Sequence, residues 1–334
     1  MSARALRFHR VRGFALESGD VLDEVTQAYH LGGAPSPERD NLVVVFHALT
    51  GSADAAGDWW SAVVGPGRAV DTDRWAVLCA NLLGSCYGTE GPWQRTGGPT
   101  PPITPRDQAR LVGLLVDELG VESVALATGG SLGGMVALEW AALRPERTRA
   151  VVALAAPAAH TAHAIGLGHV QRRAIEVAGD AGLEIARMIA MLTYRTPEEL
   201  ESRFGRELDD EEAFQVRRYL SHHGRKLLAR FDRRSYLALL GAMDAHDVGR
   251  GRGGVAAALR PFAGRLVGVG IPGDLLYTDA DVRRWTEVAG AEYREIRSTR
   301  GHDAFLLEPE QVGRILAEVL AGVAPAYSNG GDGR

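Results

Sequence analysis

Short uninterrupted apolar runs recur along the chain, and each is followed by a glycine-marked loop and then by a helical pattern of apolar positions. Four runs precede residue 160, and they are Leu42–Phe46, Ala76–Ala80, residues 123–127 and Ala150–Leu154. Runs of this length that alternate with helices are typical of parallel strands buried on both faces of a sheet. The strongest helix predicted between them spans residues 133–143 and ends before Pro145.

The pattern changes near Thr161, where helical periodicity continues for about ninety residues without a convincing strand. Strand-like runs return at Arg265–Gly270 and at residues 292–296, and Pro309–Val323 is predicted to be a final helix. We therefore predict one α/β domain formed by residues 1–160 and 256–326. An all-helical insertion, residues 161–255, interrupts it, and residues 327–334 are predicted to be a disordered tail.

Composition narrows the class of protein. The 334 residues are 46% hydrophobic and 24% charged, which excludes disorder over most of the chain. The 37 basic residues comprise one lysine, Lys226, and 36 arginines, an excess that fits GC-rich coding. The net charge of −5 argues against a nucleic-acid binder held by bulk charge.

Membrane and secretory signals are also missing from the sequence. The longest purely apolar run, residues 150–159, is too short to span a bilayer, and the charged N-terminus lacks the apolar stretch of a secretory signal. Two cysteines, Cys79 and Cys86, cannot form a disulfide framework or a zinc site alone. We expect a cytoplasmic protein without a metal site, a membrane partner or a nucleic-acid partner.

The sharpest local motif is GGSLGG at residues 129–134, which lies directly after a predicted strand and directly before a predicted helix. G-x-S-x-G in that context is the nucleophile elbow of α/β hydrolases, in which a tight turn exposes the serine hydroxyl above the sheet. The motif makes Ser131 the candidate nucleophile. It also predicts an α/β-hydrolase fold, mostly a parallel sheet flanked by helices.

A serine nucleophile needs a base, and the base needs an acid that orients it. In α/β hydrolases these follow the serine in the order acid and then histidine, on loops after late strands. Asp274 follows the predicted strand Arg265–Gly270 by a short turn, and His302 lies between the last predicted strand and the last helix. We therefore predict a triad of Ser131, His302 and Asp274.

The loop after the first long strand, HALTGS at residues 47–52, is predicted to complete the oxyanion hole. The backbone N–H groups of Leu49 and Leu132 are the expected pair of donors. Two other patterns are set aside. The G-x-G-x-x-G match at residues 268–273 contains Pro272 and lies too late for a dinucleotide site, and the pair His222 and His223 lacks metal-ligand spacing.

Seven segments together resemble one family of acyltransferases. They are HALTGS (47–52), GPGRAVDTDRW (65–75), CANLLGSCYGT (79–89), GGSLGGMVALEW (129–140), ARMIAMLTYR (186–195), ARFDRRSYLALLGAMDAHD (229–247) and GHDAFLLE (301–308). In combination they resemble the homoserine O-acetyltransferases of methionine biosynthesis, from about Ala28 to Leu320. That family is an α/β-hydrolase fold with a helical lid, usually a homodimer, and it transfers an acyl group from acyl-CoA to a hydroxyl group.

The resemblance implies the same triad and adds two substrate-binding residues. Arg172 would hold the homoserine carboxylate, and Asp303 would hold its ammonium group. An arginine fork binds a carboxylate in a bidentate manner, and an acid beside the reacting centre positions a cationic amine. The resemblance further implies acetyl-CoA as co-substrate, no bound cofactor and a homodimer.

The chain departs from the family pattern at several positions. Leu132 replaces the usual methionine, Tyr277 and Thr278 occupy a place where proline is common, and Gln171 and His223 replace a small residue and a glutamine. These departures leave the acyl and acceptor preference open but not the triad.

The expected reaction is a two-step acetyl transfer from acetyl-CoA to L-homoserine with ping-pong kinetics. Three alternatives remain: succinyl-CoA as donor or serine as acceptor, an esterase that uses water as acceptor, and a non-catalytic α/β scaffold.

Overall fold

An eight-stranded sheet forms the centre of the molecule in the computed structural model, which describes residues 5–89, 91, 93 and 98–323. Its strands are β1 (Arg7–Ala15), β2 (Val21–Gly32), β3 (Leu42–Phe46), β6 (Ala76–Ala80), β7 (Val124–Gly130), β8 (Ala150–Leu154), β9 (Arg265–Gly270) and β10 (Glu292–Glu295). A separate two-stranded sheet pairs β4 (Val64–Gly65) with β5 (Val70–Asp71). The order in the large sheet is β1-β2-β6-β3-β7-β8-β9-β10, and only the β1–β2 and β2–β6 pairings are antiparallel.

The predicted apolar strands are confirmed. Every residue of β3, β6, β7 and β8 is buried, as expected of strands covered on both faces. The boundaries of the strand and helix around Ser131 differ from the prediction. β7 extends to Gly130 and the next helix begins at Leu132, so Ser131 alone forms the junction between strand and helix.

Helices cover both faces of the sheet. They are α1 (Pro105–Glu118), α2 (Leu132–Leu143), α3 (Ala162–Ala178), α4 (Asp180–Tyr194), α5 (Pro197–Phe204), α6 (Gln215–Leu228), α7 (Arg233–Asp244), α8 (Val255–Leu259), α9 (Asp279–Ala289), α10 (Ala304–Leu307) and α11 (Pro309–Val323). Trp140 of α2 packs against Phe46 of β3, with ring centroids 5.8 Å apart. The fold is therefore the predicted α/β-hydrolase fold.

Helices α3 to α8 connect β8 to β9, and residues 161–255 are called the lid below. The Thr161 side chain caps α3 by accepting a hydrogen bond from the Ala164 N–H. α4 packs against both α3 and α6, and it also contacts the 3₁₀ turn Gly301–Asp303 that contains His302. The lid thus lies against the loop that carries the predicted base.

The N-terminal hairpin of β1 and β2 was not predicted from the sequence. Buried and exposed residues are mixed along each strand, with Leu22 and Val25 buried and Asp23 and Glu24 exposed. Partial burial of this kind is typical of antiparallel strands with one solvated face, whereas the prediction relied on continuous apolar runs.

Residues 327–334 lie outside the described residues, so the predicted tail is not tested. Among the helices that the structure describes, none combines the length and apolar character needed to cross a membrane.

Candidate active site

Ser131 sits in a strained backbone conformation between β7 and α2, with φ +57° and ψ −124°. The glycines around it make this turn possible because the backbones approach closely. A Cβ atom on Gly129 would lie 2.5 Å from the Phe46 carbonyl oxygen, and a Cβ atom on Gly133 would meet the same oxygen at an even shorter distance. The spacing G-x-S-x-G is therefore a packing requirement of this elbow.

The structure brings Ser131, His302 and Asp274 together. The Nε2 atom of His302 lies 2.9 Å from the Ser131 Oγ, and its Nδ1 lies 2.7 Å from the Asp274 Oδ2. The other oxygen of Asp274 accepts hydrogen bonds from the backbone N–H groups of Leu276 (2.8 Å) and Tyr277 (3.0 Å). The three side chains are buried, so the base is oriented on one side and aimed at the hydroxyl on the other.

The electrostatics of His302 suit a general base. Burial alone lowers the pKa of His302, but the charge and hydrogen bond of Asp274, with the charge of Asp303, outweigh it and raise the pKa above its ordinary value. The buried carboxylate therefore favours the imidazolium that forms when the base takes a proton.

The two predicted oxyanion donors lie in suitable places. Leu132 is the first residue of α2, where a helix leaves its N–H groups unpaired, and Leu49 lines the cavity beside Ser131. Within the described residues neither N–H donates to a protein acceptor. Both groups are thus available to an oxyanion formed at Ser131.

The loop that carries Leu49 is fixed by the buried ring of His47. The Nε2 of His47 accepts a hydrogen bond from the Leu82 N–H at 3.0 Å, and its Nδ1 lies 2.8 Å from the Ala48 carbonyl oxygen. Burial lowers the pKa of His47 to about 4, so the ring is neutral and carries its proton on Nδ1.

A cavity of about 350 Å³ opens onto Ser131 and His302. Three cationic side chains line it, Arg187 of α4, Lys226 of α6 and Arg230, together with the acids Asp58 and Asp303. None of the three cations forms an ion pair with a carboxylate in the part of the chain that the structure describes, so the cavity can accept an anionic group. The described residues hold no cluster of three His, Cys, Asp or Glu side chains arranged for a metal ion.

The structure places the two predicted substrate-binding residues differently. Asp303 lines the cavity and pairs with Arg195, whose Nη2 is 3.1 Å from its Oδ2. Arg172 does not line the cavity and instead pairs with Asp244 at 3.1 Å. The structure therefore does not bring Arg172 to the serine, because its guanidinium is engaged between α3 and α7.

Arg187 was missed by the sequence reasoning although it lies within the segment ARMIAMLTYR. Its guanidinium carbon is 5.3 Å from the centre of the Tyr194 ring, and that ring lies 5.4 Å from the His302 ring. Its spacing from Tyr194 is the one sequence feature that could have indicated it, because residues seven positions apart lie on the same face of a helix. With 36 arginines in the chain, that signal does not single out one residue.

Comparison with known proteins places the chain in a family. A model of the alpha/beta hydrolase fold matches residues 41–203. A homoserine O-acetyltransferase of Thermus thermophilus is 47% identical over 95% of this chain and 91% of its own length.

Two solved structures are similar in fold. The homoserine O-acetyltransferase of Staphylococcus aureus has a TM-score of 0.84 at 29% identity, over 95% of both chains. That of Bacillus anthracis has a TM-score of 0.87 at 20% identity, over 96% of this chain and 98% of its own. At 47% identity across nearly its whole length, the chain belongs to the homoserine O-acetyltransferase family of α/β-hydrolase-fold enzymes.

Proposed function

We propose that the protein transfers the acetyl group of acetyl-CoA to the hydroxyl group of L-homoserine through an acetyl-serine at Ser131. The observation that carries this proposal is the hydrogen-bonded triad, in which Asp274 contacts His302 and His302 contacts Ser131. The triad lies beside a cavity that Arg187 and Asp303 also line. Relatives at 40–47% identity are homoserine O-acetyltransferases, which supports the choice of an acetyl donor and a homoserine acceptor.

In the first half-reaction, His302 Nε2 takes the Ser131 proton as Oγ attacks the thioester carbonyl carbon. The Leu49 and Leu132 N–H groups stabilise the oxyanion. When the intermediate collapses, the carbon–sulfur bond breaks and His302 returns the proton to the departing thiolate. The products are acetyl-Ser131 and free CoA.

In the second half-reaction, the homoserine hydroxyl gives its proton to His302 Nε2 and attacks the acetyl-serine. Collapse of this intermediate returns the proton to Ser131 Oγ and releases O-acetyl-L-homoserine. Because one product leaves before the second substrate reacts, the kinetics are ping-pong.

The charges of the cavity suit both substrates. Homoserine is a zwitterion, and Arg187 and Asp303 offer a guanidinium for its carboxylate and a carboxylate for its ammonium group. Lys226 and Arg230 offer positive charge to the phosphates of the acyl donor. On this assignment Arg187 takes the role that the family resemblance suggested for Arg172.

Transfer instead of hydrolysis requires that water be kept from the acetyl-serine. The Tyr194 ring of α4 packs against the His302 ring, and the lid residues Lys226 and Arg230 line the cavity. The lid is therefore placed to limit the access of water to the acetyl-serine. This reaction uses acetyl-CoA as a co-substrate and needs no bound cofactor.

The apolar face of α3 and α4 fits a homodimer. Val170 and Val177 are seven residues apart on α3, as are Ile185 and Leu192 on α4, so each pair shares one helix face. All four are exposed, and Val177 is 76% exposed. A second copy of the chain would remove this surface from water.

A thiol-release assay tests the reaction. Acetyl-CoA and succinyl-CoA are each incubated with homoserine, with serine or without acceptor, and the Ser131→Ala variant serves as the inactive control. We expect sustained thiol release only with acetyl-CoA and homoserine, and parallel double-reciprocal lines. Sustained release without acceptor would instead identify a hydrolase, and a preference for succinyl-CoA or serine would overturn the substrate assignment.

A further inference from the structure

A buried tyrosine three residues after Asp274 connects the triad to the lid. The hydroxyl of Tyr277 lies 3.0 Å from the Nε2 of His160, which follows β8 and directly precedes the lid. The Tyr277 side chain is fully buried, and the side chain of His160 is 2% exposed. A hydrogen bond in such a place is costly to leave unmade, so it fixes both groups.

Tyr277 contacts the triad in two ways. Its backbone N–H donates to the Asp274 Oδ1 at 3.0 Å, and this oxygen is the one that His302 does not use. Its ring also packs edge-on against the His302 ring, with centroids 5.4 Å apart at 74°. A shift of Tyr277 would therefore move the acid and the base together.

On its other side His160 faces the lid. Its Nδ1 lies 3.4 Å from the Oδ1 of Asp244 at the end of α7, and Asp244 pairs in turn with Arg172 of α3. The Nδ1 and Oδ1 atoms are buried and have no hydrogen-bond partner among the described residues. The carboxylate favours the tautomer with the proton on Nδ1, which leaves Nε2 to accept from the Tyr277 hydroxyl.

We propose that His160 and Tyr277 are positioning residues, which hold Asp274 and His302 in the geometry of acyl transfer and couple that geometry to the packing of α3 and α7. This proposal rests on the function proposed above, because it assigns a task only if the triad is the catalytic centre. Neither side chain touches the reacting atoms. They act through the backbone N–H of Tyr277 and through its ring.

The alternative is a tether that contributes only to stability. A tether would lower the melting temperature when cut but would leave the rate constants of the folded enzyme unchanged. A positioning pair instead lowers the rate constants of both serine acylation and acetyl transfer to homoserine, because His302 is the base in both half-reactions.

Four single variants and one double variant separate the two roles. Tyr277→Phe keeps the ring and removes the hydroxyl, His160→Leu removes the acceptor, and His160→Gln restores an acceptor. Tyr236→Phe is the matched control, since it also removes a buried tyrosine hydroxyl, which lies in the lid and donates to Gln171 at 2.6 Å without touching the triad. Each variant is assayed for the acylation rate constant, the rate constant of acetyl transfer to homoserine, the melting temperature and the downfield Nδ1 proton resonance of His302.

We expect Tyr277→Phe and His160→Leu each to slow acylation about tenfold, the size of one buried hydrogen bond, and to shift the His302 resonance. The double variant Tyr277→Phe, His160→Leu should be no slower than either single variant, and His160→Gln should retain most of the wild-type rate. Acylation as fast as in the wild type for Tyr277→Phe, or an equal loss in Tyr236→Phe, would overturn the positioning role. Absence of thiol release in the wild type itself would instead overturn the proposed function.

Discussion

The Nε2 of His302 lies 2.9 Å from the Oγ of Ser131, although 171 residues separate the two positions in the chain. The intervening segment contains the lid, β9 and β10, so the nucleophile and its base are brought together by strands that precede and follow the lid in the chain. The triad is consequently a property of the whole fold, whereas the elbow at Ser131 is set by its neighbouring glycines.

Substitutions of Ser131 and of Asp274 should impair the reaction in different ways. Ser131→Ala should abolish acetyl-enzyme formation, observed by mass spectrometry as the loss of the acetylated protein. Asp274→Asn should lower the turnover by roughly 10³- to 10⁴-fold, because the base loses its orientation and the charge that favours its protonated form. An acetylated Ser131→Ala protein would show that another residue is the nucleophile.

The pH dependence of acylation should follow the state of His302, which must be neutral to accept the serine proton. Burial lowers the pKa of this histidine, but Asp274 and Asp303 raise it to a net value above the ordinary 6.5. The acidic limb of kcat/KM for acetyl-CoA should therefore be centred above pH 6.5, with activity lost as the pH falls through it.

Asp303→Asn provides the internal check on this limb. The substitution removes a negative charge that raises the His302 pKa, so the limb should move toward lower pH. The measurement uses the acylation half-reaction without homoserine, since Asp303 is also assigned to the acceptor. An unmoved limb would exclude Asp303 from the electrostatics of the base.

The triad could be predicted because its signals are local. Tight backbone contacts require the glycines of the elbow, and the acid and the base occupy loops whose order follows from the strands. The N-terminal hairpin was missed because polar residues interrupt its apolar ones, and no continuous apolar run marks either strand.

The lid residues could not be assigned from sequence alone. Arg172 and Arg187 both lie on helices, and the sequence does not say which of them faces the cavity. Tertiary packing decides this, since α3 turns Arg172 toward Asp244 and α4 turns Arg187 toward Tyr194. The contact between Tyr277 and His160 spans 117 residues and has no signature in either local sequence.

The two arginines make a paired test of acceptor binding. Arg187→Ala should raise the homoserine KM by about 10- to 100-fold, because a charge-assisted bidentate contact is lost, while the acylation rate changes little. Arg172→Ala should leave the homoserine KM within about twofold, since its partner is Asp244. A large increase of the homoserine KM in Arg172→Ala alone would show that Arg172, and not Arg187, binds the homoserine carboxylate.

The oligomeric state tests the apolar face of α3 and α4. By light scattering we expect the wild type to have twice the chain mass of 35.8 kDa, and the double variant Val177→Glu, Leu192→Glu to have the mass of one chain. Leu114→Glu is the control, because Leu114 is also exposed but lies on α1. A wild-type protein of single mass would exclude the dimer.

The elbow should also resist the smallest possible substitution at Gly133. A Cβ atom there would collide with the backbone oxygen of Phe46, which cannot move without displacing β3. Gly133→Ala should therefore lower the free energy of unfolding by about 2–4 kcal/mol. Gly322→Ala, on the exposed face of α11, is the matched control and should change it by less than about 1 kcal/mol, because the nearest atom to a new Cβ is the end of the Arg265 side chain at 3.5 Å. Chemical denaturation measures both free energies of unfolding. Equal values for the two variants would show that β3 and α2 can move apart at the elbow without loss of stability.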